Sequence, residues 1–511
     1  QCRASFCHPA ELAHGFFHRL LHLQPPPTHV FLPHFKAMPL ANMVTQACPL
    51  VQGETFYLRS AFRGAVTAME RRGTEFLVPV LDLNGGLRAA RKPLLHMAGS
   101  MGVPHGEANR AFEAAVEVQE GCDARMKYEG IKALETLESA PNRFAVVVFS
   151  RPYNGMVAEA NMGIPAKFAS RGILTVPFDF LTFDDERPKR KMYWGMGRMI
   201  TKAARFVERH PQLFGVFITN FSCGPDSFLV GYFRAIMGGK PTLTLELDSH
   251  TADAGLDTRI EAFLDAVSSY RQSSPQKAHS GKLGRQSRAD AASPTEILHT
   301  VKTGASELLS VTDPRVNVLI PSMGELATAA VAAAFRSVGV KAQAAPPADE
   351  RILRIGREHT SGKECLPLVL TTGTLLDHVR NRRSPDEVTA YLLTSSSGPC
   401  RFGQYRVYME DLLRRLTITD VSIIPLSSLD SYQGLSSKVE RRLWTALVVS
   451  DLMEDMRTML LANSVNPSTA EDAFREEWMA VLKTLEEQTR PRRHGRLREA
   501  AKRPQEIPRA R

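Results

Sequence analysis

Short apolar runs alternate with helical stretches through the first half of the chain. Runs rich in β-branched and aromatic residues predict strands at Val30 to Phe35, Glu75 to Leu83, Phe144 to Phe149, Ile173 to Phe178, Phe214 to Thr219 and Thr242 to Leu247. Apolar residues at helical spacing predict helices at Pro9 to Leu23, Pro49 to Arg63, Gly106 to Leu137, Met156 to Arg171, Tyr193 to His210, Asp226 to Met237 and Thr258 to Tyr270. Strands that are apolar on both faces and separated by helices indicate parallel sheets covered on both sides.

The alternation resumes after a polar stretch, Arg271 to Pro294, that is typical of a linker. Strands are predicted at Val316 to Ile320, Val340 to Ala344, Val388 to Thr394 and Val421 to Leu426, and helices at Glu325 to Ser337, Pro367 to Arg380, Tyr405 to Leu416, Ser437 to Ala462 and Ala470 to Glu487. The predicted fold class is α/β, with two or three doubly wound parallel-sheet domains and a helical C-terminal part.

The predicted organisation divides the chain into five segments. They are a first α/β domain with a helical insertion at 1–140, a second α/β domain at 141–270, a linker at 271–296, a third α/β domain with closing helices at 297–488, and a basic disordered tail at 489–511. A chain of 511 residues with 43% apolar and 23% charged residues is ordinary globular protein, which excludes collagen and small disulfide scaffolds.

Membranes and nucleic acids are not expected partners. The longest apolar stretch, Leu326 to Phe335, is too short to cross a bilayer. The basic tail, Thr489 to Arg511, carries nine Lys or Arg residues against Glu499 and Glu506, and so holds most of the net charge of +10. No aromatic residue is interleaved in it, so bases have no stacking platform, and we interpret it as a solvated end.

The start of the chain has no signal-peptide pattern. Gln1 is followed closely by amphipathic sequence, which suggests a segment of a longer polypeptide. Without an export signal, the seven cysteines are expected in the reducing cytoplasm, where thiols serve as metal ligands or nucleophiles more often than as disulfides.

Five of these cysteines share one local setting, with proline within two residues and a predicted helix following or a strand preceding. They are Cys7, Cys48, Cys223, Cys365 and Cys400. Proline suits the first turn of a helix, so the thiols are predicted at helix N-termini, where free N–H groups lower a thiol pKa and stabilise a thiolate-bound cluster. Cys2 and Cys122 lack this setting, and we interpret Cys122 as a structural, packed residue. For any one cysteine alone, buried packing is the favoured interpretation.

The spacing of the five argues against zinc ribbons and ferredoxins, because no Cys-x-x-Cys pair occurs. Widely separated single cysteines imply a site assembled between domains. The sequence also has no P-loop, nucleophile elbow, His-Glu-x-x-His or dinucleotide-binding glycine motif. ATP hydrolysis of the P-loop kind is therefore not supported.

Three other polar groups have two interpretations each. Asp248, His250 and Asp253 follow a predicted strand and belong either to a site or to the cap of the next helix, which we favour. His8 and His14 either flank a cluster or are ordinary helix residues. The run Arg151 to Asn154 either binds phosphate or is a turn.

Several longer strings resemble one protein family. They are CHPAELAHG (Cys7 to Gly15), ACPLVQG (Ala47 to Gly53), SRPYN (Ser150 to Asn154), NFSCGPDSF (Asn220 to Phe228), ELDSHTADAG (Glu246 to Gly255), GKECLPL (Gly362 to Leu368) and GPCRFGQY (Gly398 to Tyr405). The chain resembles the C-terminal part of acyl-CoA dehydratase activase-related proteins, which is similar to subunits of 2-hydroxyacyl-CoA dehydratases and benzoyl-CoA reductases.

This resemblance implies a cytoplasmic protein whose cysteines hold an iron–sulfur cluster of the [4Fe–4S] or double-cubane kind. By motif match, Cys7, Cys48, Cys223, Cys365 and Cys400 are the candidate ligands. An ATP-dependent activase, fused upstream in large relatives, would pass low-potential electrons to the cluster, and the substrate would be an acyl-CoA or another small molecule. The alternative hypothesis is a non-catalytic module that regulates or scaffolds the activase, for which we expect the five sulfurs to be scattered.

Overall fold

A computed structural model describes residues 7–40, 44–248, 250–273, 300–302, 307–381, 384–394, 400–424, 426 and 437–487. These residues belong to two compact units. The first unit takes in Gln1–Ala291, Thr360–Cys365 and Ser396–Val407, and the second takes in Ala292–His359, Leu366–Ser395 and Tyr408–Arg511. Most of the predicted linker and the whole predicted basic tail lie outside the described residues.

The first unit begins with helices around two short pairs of strands. In chain order its elements are α1 (His8–Leu21), β1 (His29–Phe31), β2 (His34–Ala37), α2 (Pro49–Gln52), α3 (Glu54–Ala61), α4 (Arg63–Arg71), β3 (Glu75–Leu77), β4 (Val80–Asp82), α5 (Arg91–Ser100) and α6 (His105–Glu138). Strand β1 pairs with β3 and β2 pairs with β4, both in parallel. Phe17, Val30 and Leu58 are buried together beneath this layer.

Two strand predictions were wrong in this region, because each predicted strand is two strands. Pro33 separates β1 from β2, and Pro79 separates β3 from β4. Proline has no N–H to donate to a ladder, so the ladder between the same two segments is interrupted at these positions. The helix predicted from Pro49 to Arg63 is likewise divided between α2, α3 and the start of α4.

A four-stranded parallel sheet forms the rest of the first unit. Its elements are β5 (Ala145–Phe149), α7 (Pro152–Gly155), α8 (Ala158–Asn161), α9 (Ile164–Ala169), β6 (Leu174–Pro177), α10 (Gly195–Arg209), β7 (Leu213–Asn220), α11 (Asp226–Met237), β8 (Thr242–Leu247) and α12 (Asp253–Ser273). The strand order is β6-β5-β7-β8. The helix predicted from Met156 to Arg171 was wrong, because Met162 and Gly163 are both left-handed and separate α8 from α9.

Both faces of this sheet are covered, as the sequence predicted. Every residue of β5 and β7 is buried. Phe168 and Phe263 pack on one face of the sheet, and Phe233 lies so close to Gly215 that a Cβ there would be 2.6 Å from its ring. The strand order reverses between β5 and β7, and open α/β sheets bind ligands in the crevice at such a switch point.

The second unit repeats this topology. Its elements are β9 (Thr300–Lys302), β10 (Leu308–Ser310), β11 (Val316–Ile320), α13 (Glu325–Arg336), β12 (Ala342–Ala344), α14 (Glu350–Glu358), α15 (Leu366–Asn381), β13 (Val388–Leu392), α16 (Tyr405–Arg415), β14 (Val421–Ile424), α17 (Ser437–Asn463) and α18 (Pro467–Glu487), with the first three residues of α16 counted in the first unit. The parallel sheet has the order β12-β11-β13-β14, and β9 and β10 form an antiparallel pair.

The helical C-terminal part is confirmed. Helix α13 presents small residues, among them Ala330 and Ala333, to Ala446 of α17 and to Phe474 and Trp478 of α18. Small side chains on α13 let two further helices approach closely and bury their aromatic residues. Among the described helices, none combines the length and apolarity needed to span a membrane.

Helix α14 begins at a side-chain cap whose loss has a measurable cost. The Oδ1 atom of Asp349 accepts the backbone N–H of Ile352 at 2.8 Å. We expect Asp349→Ala to lower the free energy of unfolding by about 1 kcal/mol, because one N–H of the first turn loses its acceptor. Urea unfolding of this variant beside Asp349→Asn, which keeps the oxygen, measures the effect, and equal losses in both would contradict it.

Candidate functional site

The five cysteines lie at the starts of helices, which confirms the predicted setting. Cys7, Cys48 and Cys400 occupy the N-cap positions of α1, α2 and a 3₁₀ helix at Arg401–Gln404. Cys365 directly precedes α15, and the Cys223 carbonyl accepts the N–H of Ser227 in the first turn of α11 at 3.1 Å. Proline pre-forms the first turn of several of these helices, as at Pro9 and Pro49.

All five cysteines belong to the first compact unit. Cys365 and Cys400 fall within the sequence range predicted as the third domain, yet the segments Thr360–Cys365 and Ser396–Val407 are part of the first unit. The expected location between domains is therefore corrected: one unit collects the five cysteines, because the chain returns to it twice.

Cys7, Cys48 and Cys223 form a first group near the switch point. Burial is the main cause that raises the pKa of the Cys7 thiol, and negative charge on Cys48 raises it further. Burial likewise raises the pKa of Cys223 well above its usual value, with contributions from Asp226 and Cys48. Cys48 thus lies close enough to act electrostatically on both Cys7 and Cys223.

The expected lowering of the thiol pKa was wrong for Cys7 and Cys223. Helix N–H groups do act in that direction: the Ala10 N–H lowers the pKa of Cys7 and the Asp226 N–H lowers that of Cys223. Desolvation disfavours the thiolate more strongly at both positions. Without a bound cation, these two thiols are held in the protonated form.

A buried ion pair joins the carboxyl ends of β5 and β7 beside these thiols. The Nη2 atom of Arg151 donates to Oδ1 of Asp226 at 2.6 Å, and the Thr219 hydroxyl donates to Oδ2 at 2.7 Å. The side chains of Arg151 and Asp226 are 12% and 3% exposed. Burial opposes the charge on Arg151, but Asp226 and Cys223 outweigh it, so that the pKa of Arg151 is raised.

Two amides at the same edge keep unused polar atoms. The Nδ2 atom of Asn220 donates to Oδ1 of Asn154 at 3.0 Å, and both residues are buried. Within the described part of the chain, Nδ2 of Asn154 and Oδ1 of Asn220 have no hydrogen-bond partner. Buried polar atoms are rarely left unsatisfied, so one donor and one acceptor at the switch point can take a further hydrogen-bond partner.

Cys365 and Cys400 form a second group with two tyrosines. The Sγ atom of Cys365 lies 2.6 Å from the Oη atom of Tyr405, and the Tyr193 hydroxyl donates to the Cys400 carbonyl. Burial is the first cause that raises the pKa of Tyr405, followed by the contact with Cys365 and by Cys400. Burial and then Cys400 also raise the pKa of Tyr193.

Short contacts connect the two groups. A Cβ built on Gly224 would lie 3.7 Å from Cδ of Arg401, so the residues that follow Cys223 and Cys400 are neighbours. Gln46 lies two residues before Cys48, and its backbone N–H donates to the Tyr193 carbonyl at 2.8 Å. The residues that adjoin Cys48, Cys223 and Cys400 are therefore in contact within the first unit.

This region is not preformed for a single metal ion. Over the described ranges, no three or more His, Cys, Asp or Glu side chains form a group able to hold one. A mononuclear site needs every ligand within about 2.3 Å of one ion. The donors that converge here are thiols, which are the ligands that iron–sulfur clusters use.

The other predicted polar residues take structural roles. Oδ1 of Asp248 accepts the N–H of His250 at 2.8 Å and the Thr251 hydroxyl at 3.0 Å. Asp253 forms an ion pair with Lys167 at 2.9 Å. His14 hydrogen-bonds the Ala10 carbonyl at 2.7 Å. Cys122, which we interpreted as a packed residue, is exposed on α6.

Sequence reasoning did not single out Tyr193, Tyr405 and Asp226. Asp226 and Tyr405 lie within strings that carry the family resemblance, so those strings were an available signal for both. Another missed contact is the ion pair between Lys363, two residues before Cys365, and Glu246 at the end of β8. The contacts of these residues with Cys365, Arg151, Cys400 and Glu246 join positions 40 to 207 apart in the chain, which periodicity does not reveal.

Comparison with known proteins gives one match. Residues 1–181, about a third of the chain, match the family described as CoA enzyme activase uncharacterised domain (DUF2229). No curated protein and no solved structure matches the chain. The matched range contains Cys7, Cys48 and Arg151, and it agrees with the resemblance to acyl-CoA dehydratase activase-related proteins. Over residues 1–181 the chain is therefore similar to the family described as CoA enzyme activase uncharacterised domain.

Proposed function

We propose that the first unit holds an iron–sulfur cluster and accepts low-potential electrons from an ATP-dependent activase. One observation carries the proposal: five cysteines from five separate segments of the chain belong to one unit and lie at the starts of helices. The alternative is a non-catalytic module that regulates or scaffolds the activase.

Cys7, Cys48, Cys223, Cys365 and Cys400 are the residues that would hold the cluster. Thiolates bind iron–sulfur clusters, and a cluster of this class supplies one-electron chemistry at low potential. Because Cys7 and Cys223 are held protonated, loading must displace their protons. The residues that surround them then decide how stable the thiolates are.

Three features of the chain would stabilise an anionic centre here. Arg151 places a buried positive charge beside Cys223. The backbone N–H groups of Ala10 and Asp226 favour the thiolate forms of Cys7 and Cys223, because each lowers the pKa of its thiol. Burial of Cys7 and partial burial of Cys48, Cys223 and Cys365 restrict the access of water. Together these features suit a cluster whose reduced form carries additional negative charge.

An activase is the proposed electron donor, and an acyl-CoA or another small molecule is the proposed substrate. The family match of residues 1–181 supports the first of these, since it names a CoA enzyme activase-related domain. The sequence contains no P-loop to couple ATP hydrolysis to electron transfer, so the proposal assigns that step to the partner. The unpaired amide atoms of Asn154 and Asn220 are suited to a polar part of the substrate.

Metal analysis after anaerobic purification and reconstitution tests the proposal. We expect the wild-type protein to contain iron and acid-labile sulfide, and the variants Cys223→Ala and Cys400→Ala to lose at least half of that iron, because each loses one thiolate ligand. Cys122→Ala is the matched control, since this cysteine is exposed on α6 and lies outside both groups.

The outcomes distinguish an error in the proposed function from an error in the choice of ligand residues. A wild-type protein that stays free of iron after reconstitution contradicts the function itself. Wild-type iron that is unchanged in Cys223→Ala and in Cys400→Ala contradicts the ligand set. Loss of iron in Cys122→Ala to the same degree would show that the change is not specific to the five cysteines.

A further inference from the structure

Tyr405 is held rigidly against the sulfur of Cys365. Its Oη atom lies 2.6 Å from Sγ, and the residue is 3% exposed. The tyrosine ring is stacked on Phe228, with centroids 6.4 Å apart, and it meets the edge of Phe402 at 5.1 Å. Two aromatic neighbours therefore fix the ring, so the position of the hydroxyl does not depend on the sulfur alone.

The direction of this hydrogen bond follows from the protonation state of the sulfur. Either group can donate while the cysteine is a thiol, but a thiolate has no proton and can only accept. The Tyr405 hydroxyl carries an O–H that can donate, and its oxygen lies against that sulfur. A cluster bound through Cys365 would thus meet an O–H donor at that ligand.

We propose that Tyr405 is a positioning residue that donates a hydrogen bond to the Cys365 thiolate and raises the reduction potential of the bound cluster. This inference rests on the proposed function. Hydrogen bonds to cluster sulfurs set reduction potentials, because they stabilise the more negative, reduced state more than the oxidised one. The hydroxyl would therefore make the centre easier for its donor to reduce.

Tyr193 provides a matched comparison within the same unit. It is also buried beside Cys365 and Cys400, yet its hydroxyl donates to the carbonyl oxygen of Cys400 and not to a sulfur. Removing that hydroxyl changes local packing and hydrogen bonding without removing a donor to a ligand atom. A merely structural role for the tyrosine hydroxyls would affect both variants alike.

The experiment compares the reconstituted wild-type protein with Tyr405→Phe and Tyr193→Phe by redox titration followed by electron paramagnetic resonance. We expect Tyr405→Phe to keep its iron and to lower the one-electron equilibrium constant for reduction about tenfold, which is a shift of about −59 mV. Tyr193→Phe should keep the wild-type potential. Resonance Raman spectra of the wild type in D₂O should show shifted Fe–S(Cys) bands, and Tyr405→Phe should lose that shift.

Each outcome decides the inference. A wild-type protein without a cluster overturns both the proposed function and this role of Tyr405. A loaded wild type with an unchanged potential in Tyr405→Phe, or with equal shifts in both variants, overturns the role alone. Should Tyr405→Phe fail to fold or load, the D₂O measurement on the wild type decides, and Fe–S bands that do not respond to deuterium count against the hydrogen bond.

Discussion

Replacing Arg151 by methionine should lower the free energy of unfolding of the first unit by about 3–5 kcal/mol, because it leaves a buried carboxylate without its positive partner. Asp226 is 3% exposed, and its carboxylate would keep the Thr219 hydroxyl as a hydrogen-bond donor. Arg151 lies at the carboxyl end of β5 and Asp226 in the first turn of α11, so the loss loosens the edge that carries Cys223.

A double-mutant cycle measures the interaction energy between Arg151 and Asp226 apart from their contacts with other residues. Asp226→Asn and Arg151→Met should each destabilise the protein, and the double variant should be less destabilised than their combined losses, since no unpaired charge remains. Urea unfolding of the reduced protein can be followed through Trp194, the tryptophan of the first unit, after Trp444 and Trp478 are changed to phenylalanine. Additive losses would show that the two charges do not depend on each other.

Gly356→Ala should destabilise the second unit by about 3 kcal/mol or more, because it forces two helices apart. A Cβ at Gly356 would lie 2.0 Å from the carbonyl oxygen of Val369, and one at Gly373 would lie 2.1 Å from that of Ile352. Each of the two helices, α14 and α15, thus contributes one glycine to the point where they cross. The obstructing atoms are backbone oxygens, which cannot rotate away as a side chain would.

The matched control for this prediction is Gly231→Ala. Gly231 also lies within a helix, α11, but a Cβ there meets nothing within 4 Å. Alanine is the better helix former by about 1 kcal/mol, so this variant should unfold at the same or a higher urea concentration. Equal destabilisation by both substitutions would refute close helix packing as the reason for Gly356.

Local patterns predicted most elements because their causes are local. The spacing and the length of apolar runs indicated a strand at Phe214 to Thr219 and a helix at Asp226 to Met237. The structure has strand β7 and helix α11 at those places. The failures also had local causes that we weighed too little: Pro33 and Pro79 divide strands, and Met162 with Gly163 divides a helix.

The candidate site was predictable in part. Proline beside cysteine located the thiols at helix N-termini, since proline fits only the first turn. The same argument gave the wrong direction for the pKa of Cys7 and Cys223, because it counted the helix N–H groups and could not count burial. Desolvation depends on every atom packed around a sulfur, and most of those atoms come from distant segments.

The sequence by itself determined the α/β class, the parallel sheets and the position of five of the seven cysteines at the starts of helices. These features follow from periodicity and turn chemistry, which act over a few residues. Only the tertiary structure decided that Cys365 and Cys400 join the unit of Cys7, and that Tyr405 meets Cys365 and Arg151 meets Asp226. Such contacts arise when whole elements pack, and no short stretch of sequence carries the information that selects one partner among many.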